Sequence, residues 1–139
     1  MNVLLNKLYN FEKAVAKLQY GVQSYDGTDD LARDGLIQRF QFTFELAWKT
    51  LKALFESEGL TGLNSPRPNL REAYAARLIN DEDQWLKMLK DRNSTSHLYD
   101  EAVAIRISHD IQSTYLAELE QLSRAIKERI TLLDPNSGD

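Results

Sequence analysis

Apolar residues recur along this chain every three or four positions, the spacing of one face of an α-helix. Leu4, Leu8, Phe11, Val15 and Leu18 form the first stripe, which ends near Gly21 or shortly after, and the Asp- and Gly-rich turn SYDGTDD follows. A longer helix is expected from Thr28 or Asp29 to Glu58. Its inward stripe is Leu36, Phe40, Phe44, Ala47, Leu51 and Leu54, with Trp48 and Phe55 beside it. Asp29 and Asp30 suit the positive end of that helix, and Gly59 sits where a left-handed residue commonly closes one. Two prolines make LTGLNSPRP a loop.

A short helix is expected from Pro68 to Ile79, with Leu70, Ala73, Tyr74 and Leu78 apolar. Another should run from Glu82 to Arg92, capped by Asp81, with Trp85, Leu86 and Leu89 turned inward. After an interruption, Val103, Ile107, Ile111, Tyr115, Leu119, Leu122, Ile126 and Leu133 continue as one kinked helix or two. No stretch alternates as a strand would. The expectation is an all-α protein: an antiparallel up-and-down bundle with a four-helix core plus short helices. It forms a single domain over residues 1–139, with a frayed tail at 134–139.

Composition narrows the function. The chain has 139 residues, net charge −4 and no cysteine. Disulfides, thiolate metal sites and a cysteine nucleophile are therefore excluded. No apolar run approaches the roughly 20 residues of a membrane span, and the N-terminus lacks a secretory pattern, so a cytoplasmic protein without a membrane partner is expected. Residues 1–65 carry 7 basic and 8 acidic side chains, residues 66–97 carry 6 and 5, and residues 98–139 carry 4 and 8. Overall acidity argues against indiscriminate nucleic-acid binding. The middle third alone is not net acidic, and a phosphate-handling surface is best placed there.

That third ends in RNSTSHLY, residues 92–99. Glycine-rich phosphate loops are absent, and the only histidines, His97 and His109, lack the spacing of helical metal ligands. No metal or cofactor is implied. The carboxylates Asp29/Asp30 and Asp81/Glu82/Asp83 fall at helix N-termini, where stabilising the helix dipole explains them. Arg92 and His97 are five residues apart, which on an unbroken helix turns them about 140° from one face. Asn93, Ser94, Thr95 and Ser96 are poor helix-interior residues, so a break there can redirect both side chains toward one cleft.

Two readings follow. In the structural one, Arg92 caps its helix, Ser or Thr caps the next, and His97 and Tyr99 pack half-buried. In the functional one, Arg92 clamps phosphate oxygens and His97 exchanges protons near neutral pH, which together would cleave RNA without metal. One histidine does not readily act as base and acid at once; two motifs meeting in a symmetric dimer would supply both.

RNSTSH fits the R-x-x-x-x-H signature of the HEPN superfamily, a helical-bundle group rich in ribonucleases, and Tyr99 extends it to the R-x-x-x-x-H-x-Y of HepT-type toxins. RDGLIQRFQFTFELAWKTLK (33–52), SPRPNLREA (65–73) and RNSTSHLYDEA (92–102) resemble its nucleotidyltransferase substrate-binding branch. The resemblance spans residues 5–133. It implies Arg92 and His97 as the catalytic pair and Asn93 as the supporting polar residue. It also implies Tyr99 as a tyrosine to which a partner minimal nucleotidyltransferase antitoxin transfers AMP. A homodimer with a shared cleft and an RNA substrate, tRNA or mRNA, are implied too. An alternative is a non-catalytic nucleotide- or substrate-binding subunit of the nucleotidyltransferase. Gln41 departs from the family pattern, in which Glu is common there, whereas Glu45 is retained.

Overall fold

The computed structural model describes residues 2–133, and every regular element among them is helical. Helix α1 spans Asn2–Ser24, α2 Asp30–Ser57, α3 Pro66–Ala75 and α4 Glu82–Asn93. A single 3₁₀ turn, Ser96–Leu98, leads into α5, Glu101–Asp110, which continues through a π turn at Ile111–Tyr115 into α6, Leu116–Leu133. The expected all-α bundle is what forms.

Cross-contacts fix the helix directions. Thr50 Oγ1 donates to the Lys7 carbonyl at 3.3 Å, Thr43 Oγ1 to that of Ala14 at 3.4 Å, and Arg39 Nη1 to that of Lys17 at 2.8 Å. As α2 advances, α1 retreats, so the two are antiparallel. The Phe44–Trp85 contact, at 6.0 Å between ring centroids, and the Gln41 bond to the Arg92 carbonyl at 3.3 Å set α4 antiparallel to α2. Arg33–Glu101 at 3.6 Å and Arg129–Glu58 at 2.7 Å tie the start of α2 to α5 and its end to α6. The α5–α6 rod therefore runs parallel to α2, completing up-down-up-down order.

The apolar stripes meet inside. Phe11, Leu18, Phe40, Phe44, Leu51, Leu70, Trp85, Ile107, Ile111, Tyr115, Leu119, Leu122 and Ile126 are fully buried. Phe40 stacks on Tyr115 with centroids 5.1 Å apart. Val103 and Leu86 are half-buried at the margin.

Local chemistry sets the ends. Asp29 accepts from the Leu31 and Ala32 amides, and Asp81 accepts from that of Gln84, so both cap helices as expected. Gly59 takes φ +90°, and the Leu60 amide returns to the Phe55 carbonyl at 2.9 Å, a glycine-dependent stop. The short helix differs from its expected bounds: it begins at Pro66 and stops at Ala75, before Arg77 at φ +62°. Leu78 and Ile79 are buried from a loop, and Tyr74 is exposed. The Leu133 side chain and residues 134–139, expected to be frayed, lie outside the described residues.

Candidate functional site

Helix α4 ends because Ser94 turns extended, with φ −76° and ψ 139°. Its amide still reaches the Lys90 and Asp91 carbonyls, and its hydroxyl accepts from the Ser96 amide at 3.2 Å. The 3₁₀ turn follows, and Asp100 caps α5 by accepting from the Ala102 and Val103 amides. The cap of the next helix is thus Asp100, not the Ser or Thr of the structural reading. The break in RNSTSH is real, and Arg92 and His97 stand on either side of it.

Arg92 points across the bundle. Its guanidinium forms an ion pair with Glu45 of α2 and donates to Asn93 Oδ1 at 2.9 Å. It does not serve as a simple helix cap. Glu45 is also held by the Trp48 indole at 3.0 Å and by Lys49 at 3.2 Å. Partial burial opposes ionisation of Glu45, but these three partners win and keep its carboxyl below the ordinary value. Gln41 donates to the Arg92 carbonyl. An ionised acid at that position would lack this donor.

One residue before Arg92 begins a network that the helical pattern did not single out. Asp91 is buried on α4 and receives two bonds of 2.8 Å from Arg106 and one from the Tyr115 hydroxyl. Burial raises the Asp91 carboxyl, yet the hydrogen bonds from Arg106 and Tyr115 outweigh it and hold it low. Burial and the Asp91 bond push the Tyr115 phenol up. The sequence signal was a charged residue three positions from Met88 on an apolar stripe.

His97 lies half-buried in a different recess, of about 300 Å³, lined by Asp30, Arg33, Asp34, Tyr99, Asp100 and Glu101 among others. Its Nδ1 is shielded and has no hydrogen-bond partner. Arg33, itself buried, donates to the Tyr25 hydroxyl at 2.7 Å and approaches Glu101. Four carboxylates and one guanidinium therefore line the recess around His97. Tyr99 is 88% exposed at the tip of the turn. Within one protomer the break sets His97 and Tyr99 in one recess, while Arg92 faces Glu45. Among the described residues no cluster of three acidic or imidazole side chains suits a metal ion, and no helix is long and apolar enough to cross a membrane.

An up-down-up-down helical bundle interrupted by RNSTSH between α4 and α5 has the HEPN-like architecture expected from the sequence. The model of the family "Nucleotidyltransferase substrate binding protein like" matches residues 6–128. The chain belongs to this family, in the HepT-like branch of the HEPN superfamily. It is similar to a Haemophilus influenzae protein named "Probable ribonuclease HepT", with 28% identity over 93% of this chain and 92% of that one. A crystal structure from Thermus thermophilus is 35% identical with TM-score 0.75, covering 84% of this chain and 98% of its own. The tri-AMPylated Shewanella oneidensis HEPN toxin, in complex with MNT antitoxin, shares the fold at TM-score 0.73. It is 22% identical, over 92% of this chain and 98% of its own.

Proposed function

We propose that this chain is the toxin of a HEPN/minimal-nucleotidyltransferase pair and a metal-independent endoribonuclease. Arg92 and His97 are its catalytic groups, and Asn93 orients the Arg92 guanidinium. The observation that carries the reading is the Arg92–His97 signature at a helix break inside the family match. In the reaction a base removes the ribose 2′-OH proton, and the 2′-oxygen attacks phosphorus. The 5′-oxygen leaves and takes a proton from an acid. Arg92 stabilises the charge on the phosphoryl oxygens. His97 of one copy would act as base and His97 of a second as acid.

The separation of Arg92 from the His97 recess favours a dimeric site. The carboxylates around His97 repel phosphate unless a second copy contributes a cation. The buried, unpartnered Nδ1 is a polar atom left for a ligand or second protomer to satisfy. The similarity to a protein named as a ribonuclease supports RNA as substrate. The AMP-modified toxin of similar fold supports an antitoxin that transfers AMP to Tyr99, whose exposed hydroxyl is accessible. An adenylyl group there would place an anion beside His97 and exclude RNA phosphate.

The test is RNA cleavage by the purified protein in chelator. Wild type should cut, and His97→Ala and Arg92→Ala should each lose at least about a hundred-fold, the scale of acid–base and electrostatic contributions. Undiminished cleavage by His97→Ala would refute the assignment.

A further inference from the structure

The outer groove between α1 and α2 carries chemistry that the His97 recess does not use. It measures about 440 Å³ and is lined by Ala14, Lys17, Gly35, Gln38, Arg39, Phe42 and Thr43. Tyr9, Lys13, Lys17 and Tyr20 follow helical spacing along α1, a stripe about 16 Å long at 1.5 Å per residue. Tyr9, Tyr20 and Phe42 are 61%, 66% and 62% exposed, large aromatic areas to leave in water. Lys13 lies 5.3 Å from the Tyr9 ring centre, and the Arg39 guanidinium 6.0 Å from that of Tyr20. Among the described residues none of Lys13, Lys17 and Arg39 is in an ion pair, although the chain as a whole is acidic.

One glycine beside the groove lets the two helices approach, and a second, in its lining, leaves it open. A Cβ at Gly21 would come within 3.3 Å of Leu36 Cδ1 and 3.5 Å of Arg39 Nη1, so this glycine lets α2 approach and leaves space for the arginine. Gly35 differs: a Cβ there meets nothing within 4 Å. A mid-helix glycine costs about 1 kcal/mol relative to alanine, and no packing contact demands this one. Its effect is an open groove floor beside Phe42 and Arg39.

We propose that this face binds a single-stranded stretch of RNA, with bases stacking on Phe42 and Tyr20 and phosphates meeting Lys13, Lys17 and Arg39. Flat rings interleaved with unpaired cations are what a sequence-tolerant single-strand surface requires. The face itself rests on these contacts; the choice of RNA as occupant rests on the ribonuclease reading. A second copy of this chain is disfavoured, since a two-fold interface would set the same cations against each other. Asp34 on the rim of the His97 recess and Gln38 on the groove rim are one helical turn apart, so the surfaces adjoin. A strand held in the groove would be delivered toward His97 without relying on the acidic recess for affinity.

The test titrates the full-length His97→Ala protein, which leaves RNA intact, with a fluorescent unstructured RNA of about twelve nucleotides. Phe42→Ala should weaken binding about ten-fold through lost stacking. Gly35→Glu, which adds bulk and negative charge without a steric clash, should abolish it while leaving the circular dichroism intact and the melting temperature no lower than wild type. Three phosphate contacts predict a slope of about −2 for log K against log salt, shallower by about 0.7 in Arg39→Gln. Binding that survives Gly35→Glu and Phe42→Ala overturns the proposal, as does wild-type cleavage unaffected by Gly35→Glu. Sedimentation showing that Gly35→Glu dissolves a dimer also overturns it. Face-dependent binding without any cleavage by wild type would uphold this surface and reject the nuclease reading instead.

Discussion

Replacing Asp91 should destabilise the fold more than a surface charge would, and its magnitude follows from its partners. Asp91 is 4% exposed, and its carboxylate accepts the buried Tyr115 hydroxyl and two Arg106 bonds. Asp91→Ala strands that hydroxyl, at about 1–3 kcal/mol for an unsatisfied buried polar group. Arg106 is half-exposed and keeps Asp110 at 3.0 Å, so water and that second acid absorb most of its loss. The expected cost is about 2–4 kcal/mol, or roughly 6–12 °C in melting temperature for a chain of this size. Asp91→Asn retains an acceptor oxygen and should cost about half as much.

Tyr115→Phe removes the donor instead, and the double variant Asp91→Ala/Tyr115→Phe should cost less than the sum of the two single changes. The pH dependence has a definite sign. Because the folded carboxyl titrates below its ordinary value of about 3.9, its stabilisation is complete above that pH and lost as the pH falls through the folded value. Urea unfolding followed by circular dichroism at neutral pH and below pH 4 reads both effects. Single and double variants within about 0.5 kcal/mol of wild type would refute the network's role.

Other substitutions report on other parts of the structure. Gly59→Ala forces a Cβ into φ +90° and should lower stability by about 1–2 kcal/mol in the same urea assay. Asp29→Ala removes the acceptor for the Leu31 and Ala32 amides and should cost about 1 kcal/mol, with fraying of α2 visible in amide exchange. His97→Ala removes a ring nitrogen that has no partner, so unfolding should shift by no more than about 0.5 kcal/mol while RNA cleavage is lost.

Periodicity made most of the fold legible. Leu8, Phe11, Val15, Leu18 and the α2 stripe all lie in the core because an amphipathic helix encodes its buried face directly. The end of α3 was hidden because Leu78 and Ile79 prolong an apolar pattern from a loop, where burial no longer implies helix. The π turn left a trace. Ile107, Ile111, Tyr115 and Leu119 are spaced by four three times over, which on a regular helix drifts about 120°. All four are fully buried, since the wider turn absorbs the drift.

Local signals located the α4–α5 break, because four small polar residues disfavour helix there. They did not reveal Arg92's partner. Glu45 is 47 positions away, and only packing of α2 against α4 joins them. Asp91 and Arg33 were obscured for a related reason: a charge on an apolar stripe is interpretable only once its buried partners are known.

The central claim is metal-free transesterification by Arg92 and His97, and the chemistry of the cut ends tests it most directly. RNA digested in chelator by the wild-type protein should carry 2′,3′-cyclic phosphate and 5′-hydroxyl ends, since the 2′-oxygen is the attacking group. Those ends should vanish with His97→Ala. Cleavage that requires added metal and leaves 5′-phosphates, or cyclic ends that persist in His97→Ala, would contradict the account.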